Sequence, residues 1–275
     1  MKKLKFVLLC IFLLYSLSKV YSYPTELIKP TDSIPAKKHD IAASIGIINY
    51  NSLDVNASPL IYKGILPYYS IRYRLSKRKI ENDIQFNYAN GFINCNIPSF
   101  KSSTTLANFS YSFFIKTNIK RPFFRKVDVL IGGSIGTWGN YTNYYHAIAK
   151  GWNNSWYLSH SLDWRLRFDY NINQNNKFGS VISYPVISFV VRPDYSLTDR
   201  FEHVTSSGYI KALSFGNFKY PIQNNFLTFN MNYLHTCNNF MTIGANYQFI
   251  YISYPHPRNY TFYSNALSFL ISIKF

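Results

Sequence analysis

Residues 265–275 at the end of the chain, NALSFLISIKF, decide the fold. Large and mostly apolar side chains occupy every second position, and they are Asn265, Leu267, Phe269, Ile271, Ile273 and Phe275. The positions between them are smaller or polar, and they are Ala266, Ser268, Leu270, Ser272 and Lys274. Because successive side chains of a β-strand point to opposite sides, this alternation predicts a strand with one apolar face.

The same alternation recurs over residues 69–75, 84–88, 109–116, 156–170, 227–233 and 241–251. Trp156 and Phe168 share an apolar face and lie 12 residues apart. At roughly 3.3 Å per residue and a tilt near 45°, this spacing gives a height of about 28 Å, close to the apolar band of about 25 Å on membrane barrels. No segment has the roughly 20 apolar residues of a transmembrane helix. The sequence therefore predicts an all-β protein, a closed antiparallel transmembrane β-barrel.

The beginning of the chain has the organisation of a cleaved signal peptide. Lys2, Lys3 and Lys5 precede an apolar run over residues 6–14, and Ser22 offers a small residue for cleavage. We therefore expect a signal peptide over residues 1–22, a periplasmic tail over 23–38 and the barrel over 39–275. An exported barrel with scattered charge excludes a nucleic-acid partner.

With this signal peptide, these strands and the terminal sequence LSFLISIKF, the chain resembles the bacterial outer-membrane β-barrel superfamily. The resemblance covers residues 39–275. It implies that the barrel assembly machinery reads the strand that ends in Phe275. It also implies the cell outer membrane as location, with outer-membrane lipid and lipopolysaccharide as partners.

Ten strands account for the pattern, and eight or twelve remain open. We place them at about 40–50, 62–76, 78–90, 103–117, 126–138, 153–170, 176–192, 225–236, 239–252 and 263–275. The connections then alternate in length, as in barrels with short periplasmic turns and longer external loops. The expected external loops are 51–61, 91–102, 139–152, 193–224 and 253–262. The seventh strand is ambiguous, because Ile182, Tyr184, Val186 and Val190 make its expected inner face apolar.

Charged residues on the predicted inner faces cluster in the periplasmic half of the barrel. They are Arg72, Arg74, Glu81, Asp83, Lys116, Asp128, Asp163, Arg165, Arg167, Asp169 and Lys274. We expect these groups to pair into a plug, with a cup above it that is lined by neutral polar residues such as Gln85, Asn87 and Gln248. Long side chains would largely fill so narrow a lumen, which disfavours an open pore.

Three residues are candidates for catalysis. Asp199 and His203 would lie one turn apart if the capping-box pattern at Ser196 begins a short helix in the loop. His160 faces outward, but Leu162 occupies the position where barrel lipid A deacylases carry a serine. The predicted upper lumen has none of the acids that omptin-type proteases use there. Cys-x-x-Cys, HExxH and phosphate-binding glycine loops are all missing, so we expect no metal and no cofactor.

The leading hypothesis is a non-enzymatic outer-membrane barrel with a plugged polar lumen, acting in surface binding or as a structural membrane component. Trp138, Tyr141, Tyr144 and Tyr145 favour a glycan or protein ligand at the external loops. The alternatives are a hydrolase that acts on lipid A, phospholipid or peptides, and a narrow channel. The net charge of +17 fits attraction to lipopolysaccharide phosphates, and biased codon usage explains it equally well.

Overall fold

The computed structural model describes residues 38–97, 100–117, 127–146, 151–192, 216–220 and 223–275. Ten long strands form the barrel: β1 (Lys38–Asp54), β2 (Ser58–Lys77), β3 (Ile80–Asn94), β4 (Phe100–Lys116), β5 (Val127–His146), β6 (Gly151–Asn171), β7 (Asn176–Val191), β9 (Asn225–Thr236), β10 (Met241–Tyr254) and β11 (Tyr260–Lys274). A short strand, β8 (Asn217–Lys219), lies between β7 and β9 in sequence. No helix in these ranges is long and apolar enough to cross a membrane.

The sheet closes on itself through a seam between its first and last strands. Each long strand pairs antiparallel with its neighbours in sequence, and β1 pairs with β11 from Asp40 opposite Lys274 to Asp54 opposite Tyr260. β9 pairs with residues 176–183 of β7, and the short β8 pairs with residues 188–190 of β7. The prediction of a ten-stranded closed barrel is confirmed. The predicted signal peptide and all but the last residue of the predicted tail lie outside the described residues.

The two faces of the strands differ sharply in exposure. On β11, Leu267 and Phe269 are 59% and 52% exposed, whereas Ala266 and Leu270 on the other face are 1% and 5% exposed. Ile45 on β1 continues the exposed apolar surface across the closing seam. A belt of exposed apolar side chains around a closed sheet is suited to a lipid bilayer. The hydrocarbon region favours apolar side chains and offers no hydrogen bonds to unpaired backbone groups.

Strand β7 departs from the prediction for its inner face. Asp163 pairs with Pro185 and Leu162 pairs with Ile187, so one residue is inserted between them as a β-bulge. The insertion shifts the parity of the strand: Tyr184 and Val186 are exposed, whereas Val190 is buried. A bulge re-aims the side chains that follow it, and Pro185 has no N–H to leave unpaired there. The expectation that Ile182, Tyr184 and Val186 face inward is wrong.

The strands extend further than predicted at the end opposite the chain termini, which we call the external end; the other end is the periplasmic end. β1 continues to Asp54, β3 to Asn94 and β5 to His146. Large parts of the expected loops 51–61, 91–102 and 139–152 therefore belong to the ladder. At about 3.3 Å per residue and a tilt near 45°, the 20 residues of β2 rise about 47 Å, well beyond an apolar band of about 25 Å.

The closing seam predicts a position-specific effect of added volume. A Cβ atom on Gly46 would overlap the carbonyl oxygen of Leu267 on β11, whereas a Cβ on Gly136 would find its nearest atom at 3.5 Å. We expect Gly46→Ala to lower the free energy of unfolding by about 1–3 kcal/mol, and Gly136→Ala to change it by less than about 0.5 kcal/mol. Urea titration followed by heat-modifiable gel migration measures both. Equal midpoints would contradict the tight seam.

Candidate functional site

The interior of the barrel is built in layers, and the lowest is an ion-pair network around Arg167. Its guanidinium lies 2.7 Å from Glu81 on β3 and 2.7 Å from its strand neighbour Asp169. Lys177 on β7 completes the group at 2.9 Å from Asp169. The side chains of Arg167 and Asp169 are only 4% and 3% exposed, so these charges depend on one another rather than on water.

A second arginine ties the network to β2. Arg74 donates through Nε and Nη2 to Asp83 Oδ2 at 3.2 and 3.1 Å, and its Nε lies 3.9 Å from Glu81. Glu81 is thus shared between Arg74 on the neighbouring strand and Arg167, which reaches it across the lumen from β6. The network connects β2 and β3 to β6 and β7 through space.

The remaining predicted lumen charges take other positions. Lys116 and Asp128 pair at 2.6 Å, with side chains 40% and 35% exposed. Asp163 accepts a hydrogen bond from Ser134 at 3.1 Å, and Arg165 donates to Ser112 at 2.6 Å.

Lys274 does not join the network within the described residues, which contradicts its expected place in the plug. It is the last residue of β11, half-buried at the periplasmic rim. Asp40, its partner across the seam, instead accepts a hydrogen bond from the Ser272 hydroxyl at 2.8 Å. Lys177, which the sequence analysis missed, pairs with Asp169 in the network. It follows a turn and lies outside any clear alternation, so only the ladder register reveals its inward direction.

A neutral hydrogen-bonded layer lies above the charges, at the level of the expected polar cup. The Tyr68 hydroxyl lies 2.9 Å from Asn87 Oδ1 and 3.2 Å from Gln248 Oε1, so its single proton is shared between side chains of β3 and β10. Gln85 donates to Asn87 at 2.9 Å. Asn87 and Gln248 are 5% and 4% exposed. These neutral polar groups are buried because the layer above covers them.

An aromatic core fills the external half of the lumen. The Trp138 ring meets those of Phe262, Tyr157 and Phe226 at centroid distances of 5.0, 5.6 and 6.0 Å. Tyr157 also stacks on Tyr260 at 4.8 Å. Other members of this core have 0% exposure: Tyr50, Tyr62, Leu66, Ile93, Ile252 and Phe262. The core was not predicted because the apolar face of each strand was taken as the lipid-facing one, whereas at this end of the barrel apolar side chains such as Tyr50 and Leu66 face inward. Ile93 also lies beyond the predicted end of its strand.

This core corrects the interpretation of Trp138 and Tyr144 as surface residues for a glycan or protein. They are 2% and 1% exposed and point into the barrel. Tyr144 packs edge-on against Tyr62 at 4.7 Å. Their apolar surface is already buried against other strands, so neither ring is available to a ligand.

A polar cap ends the aromatic core at the external end. Asp54 pairs with Arg192, whose side chain is 1% exposed, and accepts a hydrogen bond from Ser155. Arg192 also donates to the carbonyl oxygens of His256 and Arg258 in the hairpin between β10 and β11. The expectation of an upper lumen without acids is therefore wrong. Asp54 enters it because β1 extends four residues beyond its predicted end at residue 50.

The arrangement around His160 differs from that of a hydrolase. Its Nδ1 lies 2.8 Å from the Thr137 hydroxyl, and its ring stacks near Phe189 at 6.4 Å. Leu162 stands on the same outward face and is 44% exposed. Asp199 and His203 lie outside the described residues. No group of three or more metal-ligating side chains occurs in the described part of the chain.

Comparisons with known proteins find no family model and no curated protein that match. The chain is similar to the outer membrane protease OmpT from Escherichia coli, with 10% identity over 92% of this chain and 100% of that one and a TM-score of 0.48. The translocator domain of the autotransporter NalP from Neisseria meningitidis gives 6% identity over 86% and 88%, with a TM-score of 0.43. Neisserial surface protein A gives 10% over 86% and 97%, with a TM-score of 0.38. At such values none of these proteins bears on the activity of this chain.

The class of protein follows from the barrel itself. Ten paired strands close into a barrel, the outer belt is apolar, and the interior holds paired charges, amides and aromatic rings. This combination defines an integral membrane β-barrel of the outer-membrane type.

Arg167 is buried and Lys116 is half-exposed, so we expect their truncation to alanine to lower the free energy of unfolding by different amounts. Arg167→Ala leaves Glu81 and Asp169 buried without their main partner, so we expect the free energy of unfolding to fall by about 3–5 kcal/mol. Lys116→Ala breaks a half-exposed pair and should cost about 0–1 kcal/mol. Urea unfolding followed by tryptophan fluorescence tests the difference. Similar losses for both variants would show that the lower lumen is wet rather than sealed.

Proposed function

We propose that this protein is a sealed, non-enzymatic outer-membrane barrel that serves as a structural membrane component and presents its external end to partners. The observation that carries this proposal is the aromatic core, with Tyr50, Tyr62, Ile252 and Phe262 at 0% exposure in the external half of the lumen. A diffusion channel needs a continuous polar path, and these rings occupy the place where it would run.

Two barriers of different chemistry act in series. The aromatic core excludes water and ions because its rings pack tightly and hydroxyls such as those of Tyr157 and Tyr260 are already hydrogen-bonded to Asn224 and Asn140. Below it, the network of Arg74, Glu81, Arg167 and Asp169 spans the narrow periplasmic half with paired charges. If one barrier opened, the other would still block the lumen. This arrangement favours a structural role over the conduction of ions or solutes.

Lipopolysaccharide is the first partner that we propose. Lys63 on β2 is exposed on the outer face towards the external end, and Arg258 is exposed in the hairpin between β10 and β11. Basic side chains at this level attract the phosphates of an anionic leaflet, with about 1 kcal/mol for each Lys or Arg near the surface. A glycan or protein at the external loops is a further proposed ligand, with Trp138 and Tyr144 excluded from its contacts.

The barrel assembly machinery is the proposed partner of the terminal strand. Phe275 is 65% exposed at the periplasmic rim, and its backbone pairs in both directions with His39 at 3.0 Å. The His39 ring stacks on the Phe275 ring at 5.4 Å and an angle of 11°. This stacking would hold the last side chain in place once β1 has closed on β11.

The sealed lumen predicts an electrically silent protein. Purified barrel that has passed the heat-modifiability test should insert into planar lipid bilayers without discrete conductance steps, and cells that express it should take up a small hydrophilic dye no faster than cells with an empty vector. An open porin serves as the positive control in both assays. Reproducible unit steps from the folded protein would refute the sealed body and favour the channel.

The proposed contact with lipopolysaccharide predicts an effect that depends on the end of the barrel. Lys63→Glu should weaken the thermal stabilisation by added lipopolysaccharide, with an apparent affinity loss of about five- to thirtyfold from replacing attraction by repulsion. Lys79→Glu makes the same charge change in the exposed periplasmic turn and should leave the stabilisation unchanged. Equal losses would assign the effect to net charge rather than to a site.

A further inference from the structure

A cavity in the periplasmic half of the lumen is lined mainly by guanidinium groups. Its volume is about 50 Å³. Four arginines line it, and they are Arg72, Arg74, Arg165 and Arg167. Asp83 is the one carboxylate residue among the described residues that surround it. The lining therefore carries a strong excess of positive charge.

Two of these arginines are already neutralised by carboxylates. Arg74 pairs with Asp83, and Arg167 pairs with Glu81 and Asp169. Arg72 and Arg165, by contrast, have no carboxylate oxygen within 4.0 Å in the ranges that the structure describes.

Hydrogen bonding points to the same two residues. The Nε atoms of Arg72 and Arg165 are fully buried and have no hydrogen-bond partner among the described residues. Arg165 satisfies Nη1 through Ser112 at 2.6 Å, which fixes its side chain but leaves the rest of its donors. Buried charged donors without acceptors are costly, and native structures supply an acceptor.

The other polar groups around the cavity can assist an acceptor. The side chains of Asn230, Asn232, Asn246 and Gln85 line it, and each amide has N–H donors. Asp83 has one oxygen, Oδ1, without a partner, but its charge is already balanced by Arg74. The unmet requirement at this place is therefore an acceptor for the Nε donors of Arg72 and Arg165, which the nearby carboxylates, Asp40 and Asp163, do not reach.

We propose that the cavity binds a small free oxyanion with the shape and charge of inorganic phosphate or sulfate, held between Arg72 and Arg165. Guanidinium groups recognise such anions through paired N–H donors. Because a water molecule needs about 10–15 Å³ on this measure, the cavity holds several water-sized groups, which suits a tetrahedral anion. The strands around the cavity are paired on both sides, so a phosphate that is attached to lipid chains in the bilayer does not reach it.

Thermal unfolding of the detergent-solubilised full-length barrel tests this site with inorganic phosphate as the probe. Millimolar phosphate should raise Tm by about 2–4 °C over chloride at equal ionic strength, since a ligand that binds only the folded state stabilises it. A phosphate ester of a hexose should have no effect beyond that of chloride, because it exceeds the cavity. Equal Tm values in phosphate and chloride would overturn the proposal.

Matched variants locate the effect. Arg72→Gln with Arg165→Gln should abolish the phosphate shift, whereas Arg258→Gln at the external hairpin should retain it. If the double variant fails the heat-modifiability test, ³¹P line broadening on the wild-type protein replaces it: broadening that sulfate reverses supports the site. Broadening that chloride reverses equally well, or a shift that the folded double variant retains, would refute it.

Discussion

The rest of the structure depends on the closure of the backbone ladder between β1 and β11. In the apolar part of a membrane an unpaired N–H or C=O group has no water to bind, so the sheet must satisfy every one of them internally. The seam does so in continuous register from Asp40–Lys274 to Asp54–Tyr260. Once the ladder is closed, each strand has one face inside and one outside, and the parity of every residue follows.

The alternation of inward and outward side chains explains why the lumen is lined differently in its periplasmic and external halves. Within the apolar belt, Ile45 and Phe269 face lipid while arginines and carboxylates face inward. Towards the external end the preference reverses: Tyr50 is buried, whereas its neighbour Asn49 is exposed. The strands are taller than the belt, so their upper part is surrounded by water. There the hydrophobic effect drives aromatic rings into the lumen, as in the core of a soluble protein.

This reversal also limited what the alternation could predict. On β1, Ile47 is exposed and Ile48 is buried, so two apolar residues are adjacent where the preference changes, and the alternation breaks there. The strand continues for several residues and brings Asp54 into the lumen. On β7 the prediction assumed a constant period of two and therefore assigned Tyr184 and Val186 to the inner face. The bulge at Pro185 and Val186 breaks that period, and both side chains are exposed.

The sequence alone was enough to predict a barrel, its ten strands and their lipid-facing side. Each of these follows from an alternation with a period of two, which is a local pattern repeated along the chain. It also placed most of the lumen charges in the periplasmic half. Only the tertiary structure decided which inward groups meet. Asp54 and Arg192 lie 138 residues apart, and Arg167 reaches Glu81 across 86 residues. Such contacts follow from strand register and from side chains crossing the lumen, and neither leaves a local pattern in the sequence.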